Sequence, residues 1–180
     1  MVLGMAEPTR ILLEGRPGAG KTTVARRVVE RLLATGIPVT GFTTEEIREG
    51  RRRMGFRVES VDGVRATMAH VTLPGPPRVG KYGVDLGAFE RIALPALEPP
   101  AAGGVVVVDE LGKMELASLP FRQGVQALFE GRANVVATVH VFSHPLTDAL
   151  KARADLEVLR IAPRNRDALP DELARRLGAE

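Results

Sequence analysis

The chain has 180 residues, 44% of them apolar, enough to bury a core as one domain over residues 1–180. It carries a net charge of +3, nearly all of its cations are arginine, and it has no cysteine, which excludes disulfides and thiolate metal sites. No apolar run approaches the ~20 residues that span a bilayer, and Met1–Pro8 lacks the basic start and apolar core of a secretory leader, so a cytoplasmic protein with no membrane partner is expected.

In chain order, Arg10–Glu14 reads as a buried strand around Ile11, Leu12 and Leu13. A glycine-rich turn, Gly15–Thr22, leads into a helix over Lys21–Ala34, with Val24, Val28 and Leu32 at helical spacing and a stop at Gly36 before Pro38. Val39–Thr44 is a second strand. Met54–Ser60 and Arg65–Val71 form a β-hairpin insertion, joined at the favoured turn pair Asp62-Gly63, in a segment rich in arginine (Arg48, Arg51, Arg52, Arg53, Arg57). Leu73–Pro77 is proline-rich loop, and Arg78–Asp85 reads as a functional loop. A helix over Leu86–Leu94 is limited by Pro95. Then come a strand at Val105–Val108, a helix at Leu119–Phe129, a strand at Val135–Val141, a helix at Leu146–Ala152, a strand at Leu156–Ile161 and a terminal helix at Pro170–Leu177. This alternation predicts an α/β fold with a mostly parallel sheet.

The run Gly15-Arg16-Pro17-Gly18-Ala19-Gly20-Lys21-Thr22 matches G-x-x-x-x-G-K-[ST] at every fixed position, between a strand and a helix as that pattern requires. Glycines let consecutive backbone N–H groups curl inward around phosphates, and the start of the following helix adds the positive end of its dipole. Lys21 is then placed for the β and γ phosphates, the Thr22 hydroxyl for Mg²⁺, and Thr23 beside them. Downstream, four valines end in Asp109-Glu110. Ligands of open parallel sheets bind at that end of the strands. Asp109 is assigned to complete the Mg²⁺ site and Glu110 to polarise a water for attack on the γ-phosphate. The long separation of the two motifs leaves room for another strand between the first and the acid-bearing strand. The next strand then offers Thr138 and His140 as polar sensors, or as satisfied strand-end residues. A zinc site on His140 and His144 is not expected, because Pro145 disfavours helix at His144.

The runs Gly15–Thr23, Gly41–Arg48, Arg53-Met54-Gly55-Phe56, Val79–Asp85, Val108–Glu115 and Asn165-Arg166-Asp167 together resemble the thermostable nucleoside-triphosphatase family of P-loop NTPases over nearly the whole chain. The resemblance implies a three-layer, RecA-like fold and Mg²⁺-dependent hydrolysis of nucleoside triphosphates, ATP and GTP among them, with broad base tolerance.

Further residues carry alternatives. Lys113 either approaches the phosphates, pairs with Glu115, or is a solvated lysine. Arg48, Arg78 and Lys81 are candidates to neutralise charge in the transition state, against ordinary surface charge. Tyr82 either stacks on a base or packs under its loop. Asn165 and Arg166 lie near the expected base and ribose, with Asn165 or Asp167 capping the terminal helix as the favoured alternative. Nucleic acid is a weaker reading of the arginine-rich hairpin, since Glu45, Glu46 and Glu49 point to local ion pairing. A small-molecule kinase and a nucleic-acid-linked regulatory ATPase use the same phosphate loop. Glu110 favours hydrolysis over the kinase, which must exclude water.

Overall fold

The computed structural model describes residues 7–101 and 103–179, so most of Met1–Pro8 lies outside the described residues. The elements in chain order are β1 (Arg10–Glu14), α1 (Lys21–Ala34), β2 (Val39–Glu49), β3 (Arg52–Ser60), β4 (Arg65–His70), β5 (Arg78–Val79), β6 (Tyr82–Val84), α2 (Leu86–Ala96), β7 (Val105–Leu111), α3 (Leu119–Glu130), β8 (Asn134–Val139), α4 (Pro145–Lys151), β9 (Glu157–Arg160) and α5 (Leu169–Arg176). A single 3₁₀ turn, Glu115–Ala117, precedes α3.

All nine strands share one sheet in the order β5-β6-β4-β3-β2-β7-β8-β1-β9. The half from β2 to β9 is parallel. The half from β2 to β5 is antiparallel. The expectation of a mostly parallel sheet is therefore corrected: the sheet is mixed. The cause is β2, which runs well past Thr44. Val39–Phe42 pair with β7, and Phe42–Glu49 continue beyond that pairing to fold back onto β3. The β3–β4 hairpin thus extends the main sheet. Arg78–Asp85, read as loop, contains the two short strands β5 and β6, which turn at Gly80 with φ of +57°.

The alternation of side chains explains the unbroken valine run. Val105 and Val107 face a layer with Ile11, Leu13, Val136 and the apolar stripe Val24, Val28 and Leu32 of α1. Val106 and Val108 face the opposite layer with Leu12, Val135 and Ala137, under α2 and α3. A strand covered on both faces has no polar side to present, which is the pattern of buried parallel strands. On the second face, Phe42 of β2, Phe89 of α2 and Phe121 of α3 meet edge to face at 5.6, 4.9 and 5.8 Å between centroids. Each such pair is worth about 0.5–1.5 kcal/mol beyond its buried area and pins both helices to β2. β2 can lie against β7 only because Gly41 has no side chain: a Cβ there would sit 1.8 Å from the Val107 carbonyl oxygen. Pro95 lies inside α2, one residue past the expected end. Near a helix C-terminus it removes one hydrogen bond, and Leu97 N–H closes the turn onto Ala93 and Leu94. Among the described residues, no helix is long and apolar enough to cross a membrane.

Arg10 at the start of β1 is buried, and its guanidinium donates to Asp155 at 2.6 Å and to the Gly131 carbonyl at 2.6 Å. The Arg153 hydrogen bond and the charges of Arg153 and Arg10 outweigh desolvation and hold Asp155 at about 2. A carboxylate with a lowered folded pKa contributes stability above its unfolded value, near 4, and loses it as pH falls through the folded value. Asp155→Asn is expected to lower Tm at neutral pH, with the gap to wild type closing between about pH 4 and pH 2. A gap that stays constant in thermal melts across that window would show that the ion pair is not its source.

Candidate functional site

The Gly15–Gly20 turn sits at the carboxyl end of β1, anchored by Gly15 N–H on the Val139 carbonyl at 3.3 Å. Gly18 and Gly20 adopt φ of +81° and +95°, a region open to glycine and strained for other residues. Gly20 caps α1 without a side-chain acceptor, and the first turn of that helix carries no acid. Its leading N–H groups are therefore free of the usual capping side chain and suited to an anion. Lys21 is buried and curls back on its own turn, donating to Gly15 O at 2.8 Å and Arg16 O at 3.2 Å.

β7 brings Asp109 and Glu110 to the same end of the sheet, where their peptide bond is cis. Asp109 is fully buried. Its carboxylate accepts from Thr138 Oγ1 at 2.6 Å and from Thr44 N–H at 3.2 Å and Thr44 Oγ1 at 3.3 Å. Burial still pushes Asp109 above the ordinary carboxylate range, with the charge of Glu110 adding to the rise. Glu110 shifts the other way. Burial alone would raise it, but His140 Nε2 lies 2.8 Å from Oε1 and Lys21 Nζ lies 3.7 Å from Oε2, and these hold it below its usual value. A third acid, Glu115, stands in the 3₁₀ turn and is also buried. Burial, then the charges of Glu110 and Asp109, push it well above the normal range, so it favours the neutral form.

Gly112 is where these groups converge. A Cβ there would lie 2.7 Å from Glu115 Oε2, 2.8 Å from His140 Nε2 and 2.9 Å from Glu110 Oε1. A cavity of about 530 Å³ opens over them. The phosphate turn and Glu110 form one end, and Phe56, Val79, Met114 and Phe142 give it an apolar wall.

Of the residues singled out in the sequence, Pro17, Gly18, Gly20, Lys21, Thr22, Thr23, Glu110, Lys113 and His140 line this cavity. Gly15 and Arg16 serve through their carbonyls, and Ala19 packs 3.0 Å from where a Cβ of Gly15 would stand. Thr138 holds Asp109 from below. Lys113 does not pair with Glu115, and its ammonium lies 4.8 Å from the Phe142 ring centroid. Arg48, Arg78 and Lys81 are outside the cavity lining. Arg48 pairs with Glu46 at 2.7 Å, Arg78 donates to the carbonyls of Leu73 and Lys81, and Lys81 lies over Tyr82. Tyr82 packs on Phe56 at 5.2 Å. Asn165 does not cap α5, nor does Asp167: the cap is Ala168, with no side-chain bond. The Asn165 side chain instead closes the preceding turn, accepting from Ala162 N–H and donating to Arg160 O. Arg166 lays its stem on Gly20, with its Cδ 2.7 Å from where a Cβ would be. His144 caps α4 through Nδ1.

Thr44, Glu115, Arg26 and Arg53 are in or beside the site and were not singled out for it. The acid pair was readable because it ends a valine strand. Thr44 was not, since its contact with Asp109 arises from the pairing of β2 with β7.

A family model described as NTPase matches residues 10–174. The chain is 39% identical over 165 residues to nucleoside-triphosphatase THEP1 of Thermotoga maritima, covering 91% of this chain and 92% of that protein. It is 40% identical over 176 residues to the human cancer-related nucleoside-triphosphatase, covering 89% and 93%. The crystal structure of THEP1 from Aquifex aeolicus superposes with a TM-score of 0.85 at 33% identity, over 94% of this chain and 99% of that one. The solution structure of a human cancer-related nucleoside triphosphatase does so with 0.81 at 36% identity, over 96% and 98%. Phosphate turn, acid-bearing strand and whole-chain likeness agree, and this chain belongs to the NTPase family.

Proposed function

We propose that this chain is one catalytic domain, RecA-like in its parallel half, that hydrolyses nucleoside triphosphates to diphosphate and phosphate. The observation that carries the reading is the Glu110 carboxylate held between His140, 2.8 Å away, and Lys21, 3.7 Å away, beside the phosphate turn, contacts that favour its ionised form. A kinase gains nothing from a base that activates water beside its phosphate site. A hydrolase needs one there.

The residues divide the work as follows. The Gly15–Thr23 turn and the N-terminus of α1 bind the α and β phosphates through backbone N–H groups. Lys21 exchanges the carbonyls of Gly15 and Arg16 for oxygens of the β and γ phosphates. Glu110 orients a water and accepts its proton as the water oxygen attacks the γ-phosphorus; the bond from the γ-phosphorus to the bridging oxygen breaks, and that oxygen leaves on the diphosphate. His140 fixes the carboxylate that takes the proton.

The donor set beside the turn suits a hard divalent cation. The Thr22 hydroxyl and the Asp109 carboxylate are both oxygen ligands, and Asp109 is fully buried with hydroxyl and amide partners but no cationic side chain against it. Thr22 and Asp109 would hold Mg²⁺, which neutralises charge on the β and γ phosphates when bound. The phosphate side of the site is built far more closely than the base side, where Arg166 and Asn165 offer only partly exposed contacts, and this favours broad base tolerance.

Phosphate release from ATP and GTP with no acceptor present tests the reading directly, and release seen only with an added alcohol or nucleoside would defeat it. Lys21→Ala is expected to weaken triphosphate binding roughly 10–10²-fold in titrations, the size of a charged hydrogen bond. Glu110→Gln should keep binding and lower kcat by ~10²–10⁴-fold; undiminished turnover would remove Glu110 from the role. The backbone of Gly112 is not in the left-handed region, so Gly112→Ala should fold. Its methyl displaces Glu115, His140 and Glu110, and a loss of kcat on the order of 10²-fold in a protein that still melts cooperatively is expected.

A further inference from the structure

Phosphoryl transfer spreads charge over the equatorial oxygens of the γ-phosphoryl group, and a cation that meets them in the transition state contributes strongly. Four cationic side chains, Lys21, Arg26, Arg53 and Lys113, line the cavity. Lys21 belongs to the phosphate turn. Arg26 is committed to β2, through Nε to Thr43 Oγ1 at 3.4 Å, Nη2 to Thr44 O at 3.3 Å and Nη1 near Glu45 at 3.8 Å. Lys113 lies over Phe142.

Arg53 is placed differently. It stands on β3, on the antiparallel arm formed where β2 runs past its pairing with β7. Its Nη2 pairs with Glu46, and its guanidinium carbon is 5.5 Å from the Phe56 ring centroid. Its Nε is buried and has no hydrogen-bond partner among the described residues. A guanidinium presents its donors as a rigid fork, and a buried N–H without an acceptor carries a desolvation penalty that a swing of the side chain onto an acceptor would remove. Arg53 lines the same cavity as the phosphate-turn residues Gly18, Gly20 and Lys21 and as Glu110.

We propose that Arg53 is a catalytic residue of the hydrolysis, an arginine supplied by the chain itself that contacts the γ-phosphoryl oxygens in the transition state, with Glu46 holding it in the absence of triphosphate. This rests on the reading of the site as a triphosphatase. It also accounts for the run Arg53-Met54-Gly55-Phe56. Phe56 walls the cavity and supports the guanidinium. Gly55 lets β3 close on β4, since a Cβ there would stand 2.2 Å from Ala69 O. Lysine is a poor replacement, because a point charge lacks the bidentate fork.

The test compares wild type, Arg53→Ala, Arg53→Lys and Arg65→Ala in steady-state phosphate release from Mg–ATP. The same proteins are titrated with a non-hydrolysable triphosphate and with Mg–ADP–aluminium fluoride, a mimic of the transferring group. Arg53→Ala is expected to lose kcat on the order of 10³-fold. It should retain the non-hydrolysable triphosphate, lose the mimic, and regain part of its rate when guanidinium ion is added. Arg53→Lys should stay well below wild type, and Arg65→Ala, on an exposed arginine that pairs with Glu59 outside the cavity, should match wild type. Wild-type turnover in Arg53→Lys, or equal loss of triphosphate and mimic by a folded Arg53→Ala, would overturn the proposal while leaving the triphosphatase reading intact. If Arg53→Ala does not fold, Arg53→Lys alone decides. A wild-type protein that releases no phosphate would instead bring down the triphosphatase reading, and the role of Arg53 with it.

Discussion

The buried carboxylate of Asp109 is the constraint around which the site end of the sheet is arranged. A carboxylate removed from water is costly unless hydrogen bonds replace its hydration. Here they come from Thr44 on β2 and Thr138 on β8, with the Thr22 hydroxyl at the start of α1 near enough to favour the charged form, while Asp109 itself ends the valine run of β7. One side chain thus ties together four elements that are far apart in the chain. Slipping β2 or β8 by one residue would turn its threonine to the opposite face, so the register of the parallel strands and the satisfaction of Asp109 depend on each other.

Around that point the fold sets three acids to different tasks. Asp109, Glu110 and Glu115 lie within a short stretch, yet burial raises the first and third, while Glu110 is pulled down by His140 and Lys21. Like charges so close would repel one another if all were ionised. Burial pushes Glu115 toward its neutral form, while His140 and Lys21 draw Glu110 toward its ionised form in the same cavity. Gly112 makes the crowding feasible, because the space a methyl would fill is shared by Glu110, Glu115 and His140.

The mixed character of the sheet serves the same end. The parallel half builds the phosphate turn and the acid strand at the carboxyl ends of its strands, as open α/β sheets do. The antiparallel half starts from a strand that outruns its parallel partner, and it carries Phe56, Val79 and Arg53 to the cavity. Most of its arginines are paired with acids of the same arm: Glu46 with Arg48 and Arg53, Glu45 with Arg57, and Glu59 with Arg65, while Arg51 and Arg52 are exposed with no ion pair among the described residues.

What the sequence determined by itself is whatever depends on neighbouring residues. The Gly15–Thr22 turn was legible because its glycines have a local conformational need, and Asp109-Glu110 because a two-sided apolar strand has to end in something polar. The strands and helices of the core were legible from periodicity, within a few residues. Only the tertiary structure decided the rest. That β2 would outrun β7, that it would join the expected hairpin to the sheet as an antiparallel half, that Thr44 would reach Asp109 and that Glu115 would be buried beside Glu110 all follow from long-range pairing. The same holds for the arginines. Arg48, Arg51, Arg52, Arg53 and Arg57 look alike in a charge pattern, and only the path of β3 past the end of β7 selects Arg53 to line the cavity, because a side chain's reach is set by where the folded backbone places it.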